Sequence, residues 1–220
     1  TREIRAAEAA VDPAEVATML LSGGTTSLSK LIPRTHEDYV LNARLCRRAG
    51  GFDAQTVFLV ILPLGHNYNL ASPGILGAFY VGGTVVLAPS TDTAEIFRLV
   101  QQERVTVIAS VVPLISAWLA SDEPKRFDHS SLKVVQNGGA RLAPELRQRL
   151  ITELGCTPQE IYGTAEGLIN MTRLDDPLEL ILHSSGRPVC EDDEIRVVDD
   201  DGREVPDGEA GELVTRGPYT

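Results

Sequence analysis

Cysteine is scarce in this sequence: Cys46, Cys156 and Cys190 are the only three in 220 residues, and they stand far apart. No Cys-x-x-Cys or His-x-x-His spacing accompanies them, which speaks against a zinc site. An odd, sparse count fits a reducing cytosol better than a disulfide framework, so a cytoplasmic location is expected. No apolar run reaches about 18 residues, so no transmembrane helix is expected. The N-terminus has no initiator Met and no apolar core behind a basic start, so no signal peptide is expected, and both ends are expected to be cut from a longer chain. Basic clusters are also missing. With 20 Lys+Arg against 31 Asp+Glu the net charge is −11, which argues against a nucleic-acid surface and against a polybasic membrane patch. There is no internal repeat and no low-complexity tract.

What is present is a globular composition, 43% hydrophobic and 23% charged, at a length that suits one large domain with an ample core. The charge is uneven. Residues 175–212 hold 14 acidic and three basic residues, and the rest of the chain holds 17 of each. The acidic stretch is read as a solvated distal surface, as charge runs usually are.

Apolar runs alternate with helix-like segments over the first three quarters. Strands are expected at 17–21, 57–62, 84–87, 105–111, 132–136 and 159–162. Helices are expected at 37–48, with Thr35 as N-cap and Gly50-Gly51 as the stop, and at 73–80, 93–103, 114–119 and 144–154. This alternation predicts an α/β fold with a mainly parallel sheet and flanking helices. Beyond about residue 174 the pattern becomes a small β-meander, strands 194–198 and 211–215 around Asp201-Gly202. The division expected is an α/β subdomain at 1–174 and an acidic meander at 175–220 that starts a further subdomain.

Ligands gather at the carboxyl ends of parallel strands, so four loops matter most. Ser22, Gly23, Gly24, Thr25, Thr26, Ser27, Leu28, Ser29 and Lys30 offer turning glycines, hydroxyls and a cation for phosphate. No Gly-Lys-Ser/Thr ends the run, and a plain surface loop has the same composition. Gly65, His66, Asn67, Tyr68, Asn69 and Ser72 place polar groups between a buried strand and a helix; a capped connection would look alike. Gln136, Asn137, Gly138, Gly139, Ala140 and Arg141 let something flat approach the backbone, or form an ordinary tight turn. Tyr162, Gly163, Thr164, Ala165, Glu166 and Gly167 set a carboxylate past a strand end, either for magnesium on a nucleotide or as the acid of a helix start.

In this order and spacing the loops resemble the core motifs of the adenylate-forming superfamily, within it most closely the stand-alone aryl acid–AMP ligases of siderophore biosynthesis. The stretches from Lys30 to His36, Gly82 to Val86, Thr172 to Asp176 and Thr215 to Thr220 extend the resemblance over essentially the whole chain. The resemblance implies activation of an aryl acid by ATP and Mg²⁺ to an acyl adenylate, then transfer to the phosphopantetheine thiol of an aryl carrier protein in nonribosomal peptide assembly. It implies that Ser22, Gly23, Gly24, Thr25, Thr26 and Lys30 wrap the ATP phosphates. Gly139, Ala140 and Arg141 would line the adenine side, Tyr162 pack against the base, Gly163 belong to the nucleotide-binding set, Thr164 neighbour the α-phosphate and Glu166 hold the metal. His66 and Lys30 carry the catalytic roles, with His66 beside the acyl carboxylate. Asn67, Tyr68, Ser72, Gln136, Gly138, Ile161, Ile169 and Asn170 would form the aryl pocket. A neutral Asn67 suits an acid without an amine, and Ser72 favours 2,3-dihydroxybenzoate over salicylate.

The sequence departs from the family at several points. Ser27 and Ser29 stand where Gly and Pro are usual, Thr164 where Met is common, and Met171 where Tyr is. Ile161 and Ile169 replace valines, and Ser110 is more polar than usual at its strand end. The N-terminal subdomain and the C-terminal lid with its catalytic Lys are expected outside this chain, so isolated activity is not expected. A non-catalytic substrate-binding subdomain and a fragment of an aryl-CoA ligase remain open. A nicotinamide-binding fold lacks its Gly-x-Gly-x-x-Gly.

Overall fold

The computed structural model describes residues 11–21 and 30–220. Ser22, Gly23, Gly24, Thr25 and Thr26, with Ser27 and Ser29, lie outside the described residues. β1 (Val16–Leu21) and β2 (Leu31–Thr35) pair antiparallel, with Leu21 opposite Leu31. β2 was not expected, because Pro33 interrupts its pattern and Pro is tolerated only at strand edges. α1 (His36–Ala49) starts at Thr35 as expected. Thr35 Oγ1 accepts the Asp38 N–H while the Asp38 carboxylate accepts the Thr35 N–H. Glu37 and Asp38 in the first turn and Arg47 and Arg48 in the last complement the helix dipole.

From there strands and helices alternate: β3 (Val57–Val60), α2 (Asn67–Ala71), α3 (Gly74–Tyr80), β4 (Thr84–Leu87), α4 (Thr93–Glu103), β5 (Val107–Ser110) and α5 (Val112–Leu119). β6 (Val134–Asn137), α6 (Pro144–Leu154), β7 (Thr157–Gly163), β8 (Ile169–Met171), α7 (Leu178–His183) and β9 (Arg187–Pro188) follow. Strand and helix limits lie within two residues of those expected, and those at 84–87, 93–103, 144–154 and 194–198 coincide with them. Four short elements, α2, β8, α7 and β9, carry too few residues to show a period. β10 (Glu194–Val198) and β11 (Glu212–Arg216) form the expected terminal antiparallel pair.

The main sheet has seven strands in the order β4-β3-β5-β6-β7-β8-β9. The first five run parallel and the last two pairings are antiparallel. Alternation along each strand feeds two cores. Leu59, Ile108 and Val135 face α4, α5 and α6, where Phe97, Trp118 and Leu150 are fully or almost fully buried. Phe58, Val60, Val107, Ala109 and Val134 face Cys46 of α1, Ala78 of α3 and Tyr219. Trp118 meets Phe97 edge-on at 5.8 Å. The chain reverses its direction of travel across the sheet between β3 and β5, the switch point where α/β sheets open a crevice.

All three cysteines are buried and free. Burial pushes the Cys156 thiol up to about 12, which keeps it unreactive. Among the described residues no helix is long and apolar enough to cross a membrane. Of the 14 acidic residues in 175–212, all but Asp176 and Asp193 are exposed, as a solvated run should be.

Two charge networks close the fold, the first of them buried. Arg147 of α6 and Glu160 of β7 pair at 3.0 Å, with side chains 1% and 5% exposed. Arg147 also donates to the carbonyls of Leu142, Ile181 and Ser184, tying α6 to α7. Burial pushes the Glu160 carboxyl up; the Arg147 charge and the N–H donors of Asn137 and Leu142 pull it back. Replacing Arg147 by Met should cost about 3–5 kcal/mol, because it leaves a buried carboxylate without its counter-ion. Adding Glu160→Gln should recover part of that loss; urea unfolding of the single and double variants measures both.

Asp176 anchors the second network. Its carboxylate accepts from Arg187 Nη1 and from the Arg173 N–H, both at 2.7 Å. Burial alone would raise its pKa, but the Arg187 hydrogen bond, the Arg173 N–H and both guanidinium charges outweigh that and hold it below the usual value. A carboxylate depressed on folding stabilises above its unfolded pKa and loses that contribution as pH falls through the folded one. The stability gap between the native chain and Asp176→Asn should therefore be full at neutral pH and close between about pH 5 and pH 2. Denaturation curves across that range check it.

Candidate functional site

A cleft of about 410 Å³ opens at the carboxyl ends of the central strands. Its floor and walls bring together Gly65, His66, Asn67, Tyr68 and Ser72 after β3 and Gly138 and Gly139 after β6. Ile161, Gly163, Thr164, Ala165, Glu166 and Ile169 come from β7, β8 and their connection, and Leu20, Leu21 and Ile32 from the β1–β2 pair. Three of the four loops singled out in the sequence thus meet at one cavity. The fourth is represented among the described residues by Lys30, exposed just before β2.

The second loop is a short helix. His66 caps it, with Nδ1 accepting the Tyr68 N–H at 3.2 Å. A ring nitrogen that accepts is unprotonated, so the neutral imidazole carries its hydrogen on Nε2. Asn69 is taken up by structure, its Nδ2 donating to the Leu62 carbonyl. Ser72 is 2% exposed and Tyr68 8% exposed; the Tyr68 hydroxyl turns inward to the Ser110 backbone, whereas the Ser72 hydroxyl has no hydrogen-bond partner. Buried hydroxyls at a cleft wall that lack a partner are costly unless a ligand or water supplies one. Burial raises the Tyr68 phenol far above its ordinary value, with the Glu160 charge adding to it, so it stays neutral.

The third loop is shaped by two glycines. A Cβ at Gly138 would stand 3.1 Å from the Tyr68 ring, so the backbone lies flat on that ring. Gly139 has φ +82, a left-handed conformation that favours glycine. Asn137 Nδ2 fixes the turn by donating to Ala140 O at 2.7 Å and to Glu160 at 3.0 Å.

Six expected site residues among those described fall outside the cleft lining, Lys30 and five others. Gln136 is fully buried below it and donates to Gln159 at 2.9 Å. Tyr162 and Asn170 alternate with Ile161 and Ile169 along β7 and β8, so they take the opposite face. Ala140 is exposed, and its carbonyl is held by Asn137. Arg141 donates to the His183 carbonyl of α7.

Residues 2–220 match the AMP-binding enzyme family. The chain belongs to that family. It is similar to the 2,3-dihydroxybenzoate-AMP ligase of Bacillus subtilis, 49% identical over 96% of this chain and 39% of the relative. It is also similar to the salicyl-AMP ligase / salicyl-S-ArCP synthetase of Mycobacterium tuberculosis, 46% identical over 95% of this chain and 37% of the relative. Among solved structures, apo MbtA of Mycobacterium smegmatis superposes with a TM-score of 0.88 at 43% identity, covering 96% of this chain and 39% of that one. The chain therefore spans 37–39% of the length of these AMP-binding relatives.

The residue that organises this family member's cleft was not singled out in the sequence. Arg34 of β2 has a side chain only 2% exposed. It donates to Ala165 O at 2.9 Å and to Tyr219 O at 3.0 Å, pairs with Asp38 at 2.9 Å, and lies over the Tyr39 ring at 5.0 Å. Tyr219 in turn donates its hydroxyl to Asp193 at 2.7 Å and accepts the Ile169 N–H. Cleft wall, hairpin and C-terminal segment are thereby joined through one guanidinium. Its only signal in the sequence was membership of the Lys30–His36 stretch. Arg34→Met should destabilise by about 3 kcal/mol, the upper range for a charge-assisted hydrogen bond, and Arg34→Lys should rescue little, since an ammonium lacks the planar fork. Urea unfolding of both variants, with limited proteolysis of the 163–167 loop, checks this.

Proposed function

We propose that the protein carrying this chain activates an aryl carboxylic acid, with 2,3-dihydroxybenzoate the preferred substrate. A substrate carboxylate oxygen attacks the α-phosphorus of ATP, the bond to the bridging oxygen breaks, and pyrophosphate leaves. The thiol of a carrier protein's phosphopantetheine then attacks the acyl carbon and displaces AMP. The observation that carries this reading is the buried, unpartnered hydroxyl of Ser72, beside Asn67 in a cleft with two isoleucine walls. A flat ring with polar ortho and meta groups meets Asn67 and supplies the partner that Ser72 lacks. Similarity to both a 2,3-dihydroxybenzoate and a salicylate ligase supports the substrate class.

Each role follows from the donor set. Ile161 and Ile169 would flank the ring. The Nε2–H of His66 would donate to the acyl carboxylate or the α-phosphate, where charge shifts during attack. Thr164 would offer its hydroxyl to the same phosphate. Lys30, Ser22, Gly23, Gly24, Thr25 and Thr26 would hold the outer phosphates, and Gly139, Ala140, Arg141, Tyr162 and Gly163 the adenine side. Gln136, Gly138 and Asn170 would support the aryl pocket from below and behind.

Glu166 is exposed at the cleft rim, and no cluster of three His, Cys, Asp or Glu that could hold a metal occurs among the described residues. A single carboxylate fits Mg²⁺, which is held by one or two carboxylates plus substrate phosphates. When bound, Mg²⁺ supplies positive charge against the phosphoryl oxygens. We further read residues 175–220 as the start of a second subdomain, a reading supported by the exposed Val197, Leu213 and Val214 of its hairpin. A cytoplasmic setting is consistent with three free, buried thiols.

The test is ATP–pyrophosphate exchange by the full-length protein. Exchange should be fastest with 2,3-dihydroxybenzoate, slower with salicylate and slowest with benzoate. Ser72→Ala should reduce the preference for 2,3-dihydroxybenzoate over salicylate by about tenfold, the loss of one hydrogen bond of ~1.4 kcal/mol. No exchange with any of the three acids would refute the reading.

A further inference from the structure

We propose that Tyr39 is a positioning residue that sets the cleft's choice between ortho-hydroxy and ortho-amino acids, by fixing which end of the Asn67 amide faces the ligand. The inference rests on the aryl acid reading and goes beyond it. Tyr39, in the first turn of α1, is 5% exposed and lines no part of the cleft. Its hydroxyl donates to Asn67 Oδ1 at 2.7 Å, a buried hydrogen bond between side chains 28 residues apart. Asn67 lines the cleft and is 7% exposed. With Oδ1 occupied, Nδ2 is the end of the amide left to meet a ligand, and Nδ2 only donates.

Two features hold the amide this way round. The phenolic hydrogen makes no other hydrogen bond, so turning the amide would strand it in a buried setting. Burial pushes the Tyr39 phenol up to about 12, opposed by the Arg34 charge and aided by Asp38, so it remains a donor throughout the neutral range. The ring is fixed under Arg34 at 5.0 Å, and Arg34 is itself held by Ala165 and Tyr219.

The ligand chemistry then divides by the ortho group. A 2-hydroxybenzoate donates its O–H to its own carboxylate and leaves an oxygen lone pair for the Asn67 N–H. A 2-aminobenzoate in the same pose has a second N–H directed at that N–H, so two buried donors oppose each other. A site built to bond one such group rejects the analogue that lacks it far more strongly than a hydrophobic pocket rejects a methylene. Removing the Tyr39 hydroxyl frees the amide to turn and present Oδ1, which accepts the amine.

The experiment measures kcat/KM for ATP–pyrophosphate exchange by the full-length protein with 2-hydroxybenzoate and 2-aminobenzoate, native and Tyr39→Phe. The native protein should favour the hydroxy acid by about tenfold or more, and Tyr39→Phe should narrow that ratio by about tenfold. A merely structural role would slow both acids alike and leave the ratio unmoved. An unchanged ratio in a variant with native circular dichroism overturns the proposal while the aryl acid reading stands. Absence of exchange with every 2-hydroxybenzoate overturns both. Should Tyr39→Phe fail to fold, calorimetry on the native protein decides: 2-fluorobenzoate, an acceptor only, should bind more tightly than 2-aminobenzoate, and the reverse order overturns the proposal.

Discussion

The guanidinium of Arg34 is the constraint on which the cleft depends. It is a permanent cation placed where almost no water reaches it, and such a charge is tolerable only if its donors are matched. Asp38 supplies the counter-charge from the adjoining helix, and the carbonyls of Ala165 and Tyr219 take further donors. Those two carbonyls belong to segments 131 and 185 residues away in sequence. The planar fork of Arg can span them at once, so the β7–β8 connection, the β2–α1 corner and the C-terminal segment have little freedom to move separately. The same cation packs over Tyr39, whose hydroxyl orients Asn67. One desolvated charge therefore reaches the ligand-facing amide through a single intermediate ring.

The sheet supplies the frame that makes this arrangement useful. Both faces of its central strands are buried against helices, so the strands are stiff and their carboxyl ends are fixed relative to one another. The cleft is assembled from those ends. Its polar groups divide into two kinds. Behind the lining, the amide N–H groups of Asn69 and Asn137 and the Glu160 carboxylate are engaged by the surrounding structure and shape loops. The hydroxyl of Ser72 is buried without a partner, a state that makes physical sense at a site where a ligand's polar groups arrive. The net negative charge of the chain has no part in this. It resides in an exposed stretch, paired locally by Arg187, Arg196 and Arg203 or left to solvent.

The loops after strands were legible in the sequence because buried parallel strands read as unbroken apolar runs, and the chain must turn where such a run stops. His66, Asn67, Tyr68, Ser72, Gly138, Gly139, Thr164 and Glu166 were reachable on that logic. Tyr162 and Asn170 show its limit. Each sits within a residue or two of a cleft residue, but the two-residue period of a strand sends neighbours to opposite faces. Choosing the face requires the register, which pairing with other strands sets. Arg34 and Tyr39 were invisible for a different reason. An arginine beside a proline and an aromatic in a helix's first turn look like surface residues until the distant carbonyls and amide that receive them are in place.

The sequence by itself determined the α/β class, the parallel core and the order of the ligand loops. Those follow from local periodicity and from turn residues, which act between near neighbours. Tertiary structure alone decided which residues share the cleft, which hydroxyls remain unpartnered, and which end of the Asn67 amide is presented. Those depend on hydrogen bonds and ion pairs between residues tens to hundreds apart, and no local pattern encodes their meeting.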